Sequence, residues 1–526
     1  MADTIALGSY FDNRWQMGTG SVSLINPVTL ATLAEVRGEG LDLGTAVQCA
    51  RSEGRNSLAS MTFAERAALL RDMADALQND RDHYAELARQ NSGNTPGDVM
   101  FDIDGGIAAL KFYAGMGKKL GNAKRFVESE HQPLDREGHW AARHIMTSVP
   151  GIAVHINAFN FPSWGMWEKV APSLLAGVPA IVKPATAAAL VSHAMIRTLT
   201  DAGLIPSGVL SLICGSARTL LDELDAGDVV AFTGSADTAA KLRAHPAVQI
   251  RGVRFQAEAD SLNSAILGSD LDQGSETYGL FLREIQKEMT VKSGQKCTAI
   301  RRILVPETLL DDVASDLSVQ LTKTTVGDPA AEGVRMGPLQ SPEQREAART
   351  GLEQLTAVCE TVCGGDTPAS LTGENAKPDC FLAPTLLLCR DPDNSNAVHD
   401  TEVFGPVATL MPYRDLSHAA ALVARGKGSL VSSLFTDDDS VASTLIDQTA
   451  GWHGRLLWVD ATLGKHHLGH GTVMPQCIHG GPGRAGGGQE LGGLRGLTLY
   501  LQRTALQGQT DRLAAITAGD AVWPGV

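Results

Sequence analysis

Residues 151–186 read GIAVHINAFNFPSWGMWEKVAPSLLAGVPAIVKPAT, and their pattern decides the fold. A short β-rich run, Gly151–Ile156, leads into the loop Asn157–Asn160. A helical stretch, Trp167–Leu175, follows, and then a second buried run, Pro179–Val182, which ends in Lys183-Pro184. Two short apolar runs joined through a helix predict a parallel crossover. Working outward, the alternation continues. Ala187–Thr200 reads as helix, Val209–Cys214 as strand and Ala217–Leu224 as helix, and Val229–Phe232 reads as a strand entering Thr233-Gly234-Ser235. Such units imply a parallel sheet with helices on both faces. Ligands of such sheets sit at the carboxyl ends of the strands, here Asn157–Asn160, Lys183–Thr186 and Thr233–Ser235.

Upstream, Thr62 and Glu65 form a capping box for one or two helices reaching about Gln90, with Ala67, Leu70, Met73 and Leu77 on the apolar stripe. Downstream, residues 266–470 mix helices (Leu309–Thr322, Pro342–Val358) with β-rich runs (Ile300–Val305, Thr385–Leu388, Val407–Met411), predicting a second α/β unit. The glycine-rich stretch Gly480–Gly493 reads as an ordered loop feeding a terminal strand, Leu497–Gln502. A chain of 526 residues exceeds one ordinary core, so several domains are expected.

The net charge of −15 argues against a nucleic-acid surface. The most apolar uninterrupted stretch, Val170–Val182, contains two prolines and is too short to span a bilayer. Residues 1–15 have no apolar signal-peptide core, so a cytoplasmic protein without a membrane segment is expected. The eight cysteines suggest no disulfide framework, and Cys359 and Cys363 read as structural.

Three positions carry chemical interest. Cys297 ends Ser293-Gly294-Gln295-Lys296-Cys297, where a glycine turn exposes backbone amides to a thiol; alone, the pentapeptide better fits a buried structural cysteine. Glu258 follows the strand-like Val253–Phe255 and suits a desolvated general base, or a solvated surface glutamate. Asn160, in Asn157-Ala158-Phe159-Asn160-Phe161-Pro162, can donate to an oxyanion or merely shape a turn.

Together these motifs resemble the aldehyde dehydrogenase superfamily, from about residue 20 to residue 505. Its landmarks occur in family order: Phe159–Pro162, Val182–Ala185, Phe232–Ser235, Glu258, Gly294–Cys297, Gly327–Pro329, Met336–Leu339 and Glu402–Pro406. The resemblance implies an α/β fold in three parts. These are a Rossmann-like cofactor domain (1–137 and 150–265), an α/β catalytic domain (266–470), and a small β bridging domain with the C-terminal segment (138–149 and 471–526). It implies Cys297 as nucleophile, Glu258 as general base, and Asn160 with the Cys297 N–H as oxyanion hole. Phe159, Lys183, Thr186, Gly234, Ser235, Glu402 and Phe404 would line the cofactor site. Ala239 stands where the family usually has a second glycine. Thr186 stands where NAD-preferring relatives often carry a glutamate, so NADP is expected to be preferred and NAD accepted. The literal G-x-G-x-x-G at Gly481–Gly486 follows no strand and reads as a decoy.

CoA-acylating members generally lack the base, so Glu258 favours hydrolysis to a free acid. The run His479–Gly493 is similar to the branch that handles semialdehydes of CoA-linked aromatic ring cleavage, in the benzoyl-CoA and phenylacetyl-CoA routes. The absence of a fused hydratase region favours the former. The resemblance therefore implies a CoA-linked semialdehyde substrate, with a small-residue loop leaving room for the thioester arm and Arg484 available to a phosphate. It also implies a homodimer or homotetramer. Two rivals stand beside this reading. One is a metal-dependent hydrolase built on His466, His467, His470, Cys477 and His479, whose spacing matches no compact zinc site, so no metal is expected. The other is a non-catalytic relative that keeps the fold.

Overall fold

The computed structural model describes residues 5–129 and 131–524, excluding the side chain of Lys465. Its first large sheet has seven strands, in the order Arg254–Glu258, Val229–Thr233, Ala153–Ile156, Ala180–Lys183, Leu210–Leu212, Ser9–Phe11 and Arg14–Gln16. The first five are parallel. From the central strand Ala153–Ile156 the chain runs outward to 180 and 210 on one side and to 229 and 254 on the other. The order therefore reverses beside that strand. This switch point is where a doubly wound sheet opens its ligand crevice.

The helix between the strands Ala153–Ile156 and Ala180–Lys183 spans Trp164–Ala176 and is buried along almost its whole length. It carries Glu168 and Lys169 into the interior, so two charges ride on an otherwise apolar element. The upstream helices run Phe63–Asn79 and Arg81–Ser92, and the Thr62/Glu65 capping box is formed.

The second sheet also has seven strands: Glu360–Cys363, Thr385–Leu388, Val407–Tyr413, Ile300–Pro306, Asn263–Leu267, Ser429–Phe435 and His453–Val459. All are parallel except the edge strand Glu360–Cys363. Continuous burial of Ile300–Pro306 and Ser429–Phe435 fits strands covered on both faces. A third sheet pairs Leu501–Gln509 with Trp140–Ser148 over nine residues and adds Phe126–Glu128, Ala521–Trp523 and Gln132–Pro133. Among the described residues no helix is long and apolar enough to cross a membrane.

Three sequence expectations need correction. Ala217–Leu224 holds just a 3₁₀ turn, Leu220–Glu223, whose two leucines are buried. The terminal strand begins at Leu501, because Gly493–Tyr500 winds as a 3₁₀ segment. Gly496 there packs its bare Cα against the Leu491 carbonyl and the Tyr113 hydroxyl, a tertiary contact that local pattern does not encode. The third sheet also takes Phe126–Glu128 and Gln132–Pro133, which precede residue 138.

Candidate active site

Cys297 lies at the end of an unusual turn. Lys292, Ser293 and Gly294 all adopt left-handed backbone, with φ of 52°, 54° and 68°. For the two non-glycine residues this costs roughly 1–2 kcal/mol each. The surroundings hold the turn in place. Lys292 N–H donates to Asp98 (2.9 Å), Ser293 Oγ to the Gly337 carbonyl (2.8 Å), and the Arg301 guanidinium to the carbonyls of Gly294 (2.8 Å) and Gly405 (2.6 Å). Beyond the turn, Asn263 Nδ2 donates to the Cys297 carbonyl at 2.8 Å.

Glu258 closes its strand and is 1% exposed. Asn160 is buried in the loop after the central strand. Cys297, Glu258 and Asn160 line one narrow cavity, together with Trp164, Thr233 and His479. The sequence thus places its three chemical candidates around a common space.

That space contains residues the sequence reading did not assign. His479 Nε2 lies 3.8 Å from Cys297 Sγ and 3.3 Å from Glu258 Oε2. Its Nδ1 is 3.0 Å from Glu168 Oε2, and Trp164 stacks on the ring at 6.0 Å. Lys169 Nζ then joins Glu168 (3.1 Å) to Glu490 (3.0 Å), so a fully buried chain of charges runs away from the thiol. The signals for these residues were an acid–base pair inside an apolar helix and a histidine beside a glycine run.

Burial pushes the Cys297 thiol up to about 12; the Glu258 charge adds to this and His479 opposes it. Burial would lower His479, but the carboxylates of Glu258 and Glu168 hold it well above its ordinary value. Burial would raise Glu168, yet Lys169 and His479 bring it to about 2. Glu490, desolvated despite Lys169, rises to about 7.

The expected cofactor residues surround the switch point. Lys183 ends its strand, and burial lowers its ammonium pKa. Thr186 opens a 3₁₀ turn. Gly234 N–H donates to the Glu258 carbonyl (3.1 Å), and Ser235 caps the helix Ala236–Arg243, in which Ala239 is buried. Phe159 and Phe404 meet edge to face at 5.8 Å. Glu402 accepts from Ser261 N–H (3.0 Å), and burial raises it to about 7. Glu402 Oε1 and Thr233 Oγ1 are buried without a hydrogen bond, leaving polar capacity for a hydroxyl-rich ligand such as a dinucleotide.

The C-terminal loop is tied closely to the protein. Arg484 donates to the backbone carbonyls of His399 (3.1 Å) and Asp400 (2.9 Å). Backbone fills the room that several of these glycines make, whereas Gly487 faces open space. Gly488 N–H donates to the Ala257 carbonyl (3.1 Å), Ala259 N–H donates to the Ala485 carbonyl (3.0 Å), and Gly481 and Gly483 abut Ser429 and Lys427. The five residues of the rival metal set disperse: His470 bonds Ser433 Oγ (2.6 Å), Cys477 is exposed, and His479 alone reaches the cavity. Cys359 has Cys389, not Cys363, as its hydrogen-bonding neighbour, and all eight cysteines are free.

A sequence model of the aldehyde dehydrogenase family matches residues 15–503. The chain is 46% identical over 477 residues to 3,4-dehydroadipyl-CoA semialdehyde dehydrogenase of Aromatoleum evansii, covering 90% of this chain and 93% of that one. It is 46% identical over 182 residues to protein MaoC of Klebsiella aerogenes, covering 34% of this chain and 52% of that one. A Staphylococcus aureus betaine aldehyde dehydrogenase solved with NAD+ superposes with a TM-score of 0.83 over 96% of this chain and 98% of that one, at 22% identity.

Proposed function

The chain belongs to the aldehyde dehydrogenase family, and from that premise we propose that it oxidises a CoA-linked semialdehyde, 3,4-dehydroadipyl-CoA semialdehyde, to the free carboxylic acid, with NADP as preferred oxidant. The observation that carries the substrate is the 46% identity to the Aromatoleum evansii enzyme along nearly the full length of both chains. The phenylacetyl-CoA ring-cleavage semialdehyde is the natural comparison substrate.

The proposed chemistry begins with Cys297. Its thiol yields a proton to the nearby base, and Sγ adds to the aldehyde carbon. The oxygen of the resulting thiohemiacetal takes hydrogen bonds from the Asn160 amide and the Cys297 backbone N–H. NADP, when bound, supplies the hydride acceptor. Lys183, Thr186, Ser235 and Glu402 would hold it, with Phe159 and Phe404 packing beside it, and Glu402 Oε1 and Thr233 Oγ1, buried without a hydrogen bond, favour such a ligand. Loss of hydride leaves a thioester on Sγ. Glu258, having passed the thiol's proton to solvent, then takes a proton from water as the water oxygen bonds to the acyl carbon, and the C–S bond breaks to release the acid and return the sulfur, which takes that proton back as thiol. Two electrons leave with the hydride, and water supplies the second carboxylate oxygen. Glu258 favours this hydrolytic ending over transfer to free CoA.

The test is a screen of CoA-linked and free semialdehydes with both cofactors, beside two variants. Cys297→Ala is expected to abolish turnover. Glu258→Gln is expected to release about one equivalent of reduced cofactor per site and then stall. Equal kcat/KM for the free semialdehyde would remove the CoA assignment, and continuous turnover by Glu258→Gln would remove the base.

A further inference from the structure

The mechanism above leaves His479 without a task, although this histidine touches both groups on which the mechanism depends. We propose that Cys297 Sγ, His479 Nε2 and the Glu258 carboxylate form a binding site for a thiophilic divalent cation of the zinc type, and that filling it switches the enzyme off reversibly.

The geometry is that of a tetrahedral site. Zinc bonds of about 2.3 Å to sulfur and about 2.0–2.2 Å to nitrogen and oxygen imply ligand separations of about 3.6 Å for S···N and about 3.4 Å for N···O. The corresponding distances here are 3.8 Å and 3.3 Å. All three ligand atoms lie within 4.8 Å of one another. Both Glu258 carboxylate oxygens are buried without a hydrogen bond, so they have lone pairs to offer. The other imidazole nitrogen faces Glu168 at 3.0 Å, the carboxylate–histidine arrangement that orients a metal-binding ring. Glu168 is itself fixed by Lys169, and Trp164 stacks on the ring face. The adjoining cavity leaves a fourth position for water.

Three protein ligands of mixed softness select zinc-like ions over magnesium and calcium, which prefer oxygen cages. A bound ion would displace the protons of the Cys297 thiol and the His479 ring to solvent, and would occupy the sulfur lone pair needed for attack and the carboxylate needed to activate water. Inhibition is therefore expected to be complete at saturation and reversed by a chelator. This consequence rests on the functional reading above, whereas binding of the ion does not.

The experiment titrates Co²⁺ into the untagged full chain and follows thiolate-to-cobalt charge transfer in the near ultraviolet and tetrahedral d–d bands in the visible. The expected result is one Co²⁺ per chain with both signatures, lost in Cys297→Ala and in His479→Gln and kept in Cys477→Ser. Glu168→Gln is expected to weaken affinity by about 10–100-fold. Zn²⁺ should displace the cobalt and protect Cys297 from iodoacetamide, and Mg²⁺ should do neither. Absence of the charge-transfer band in the unsubstituted chain, or its survival in Cys297→Ala, overturns the site. A chain that shows the band yet oxidises no aldehyde leaves the site standing and defeats the proposed function. A chain that oxidises aldehydes without the band defeats the site alone.

Discussion

At position 186 a threonine hydroxyl stands three residues beyond Lys183, with no carboxylate to repel a phosphate on the adenosine ribose. Thr186→Glu is accordingly expected to shift the ratio of kcat/KM values toward NAD by roughly tenfold or more, about 1.4 kcal/mol of differential binding. Steady-state assays with both cofactors at one aldehyde concentration measure it. An unchanged ratio would mean that residue 186 does not face the ribose. Residue-scale reading of the sequence singled out Cys297, Glu258 and Asn160, which the fold brings to one cavity, because each stands in a short ordered motif. It did not recover the tasks of His479 or Glu168. Their partnership spans 311 positions, and that of His479 with Cys297 spans 182, so no local pattern records either.

Among the elements, the strand Arg254–Glu258 and the glycine loop behind it act as one unit. A methyl group at Gly488 would stand 2.5 Å from the Ala257 carbonyl oxygen, and the strand bearing Glu258 would have to shift. Displacing a catalytic group by about 1 Å costs up to about 100-fold in rate. Gly488→Ala is therefore expected to lower kcat about 10–100-fold while the burst of reduced cofactor survives, as pre-steady-state absorbance would show. The turn before Cys297 is equally constrained. Gly294→Ala sets a Cβ against the Gly405 carbonyl at a positive φ, and a loss of about 1 kcal/mol or more is expected in denaturant melts. Most strands and helices were legible from periodicity, because burial on two faces writes continuous apolar runs and burial on one face writes stripes. The failures, at 217–224 and 497–500, lie where distant packing overrode local preference.

For the molecule as a whole, acid should be destabilising well before the carboxylates titrate. Burial holds His155, His453 and His470 neutral, with pKa values lowered to about 3. In the unfolded chain they would protonate near 6.5. Their folded values are depressed, so their contribution is complete above about pH 6.5 and is lost as pH falls toward 3. At pH 5 each costs roughly 2 kcal/mol; His479, shifted upward, opposes them. The Tm is expected to fall by several degrees between pH 7 and pH 5. His453→Asn, which can keep the bond to Ser429, should flatten the slope. A Tm independent of pH over that range would contradict the burial of these rings.

The largest-scale expectation concerns assembly. The strand Leu501–Gln509 is an edge of its sheet and mostly exposed, so its outer backbone groups are open to pairing. Light scattering is expected to give two or four times the 55.5 kDa of the chain; a monomer at working concentration would refute the bridging role proposed for this sheet.

Both large sheets are complete by Val459, yet His479 and the glycines that brace Glu258 come later in the chain. A polypeptide released from the ribosome at Val459 would possess the strands of both large sheets and its sulfur, but not the framework that positions the base. Nonsense mutations in this region should thus yield inert nucleotide-binding products rather than half-working enzymes. Competence arrives in a single step, with the residues that follow Val459.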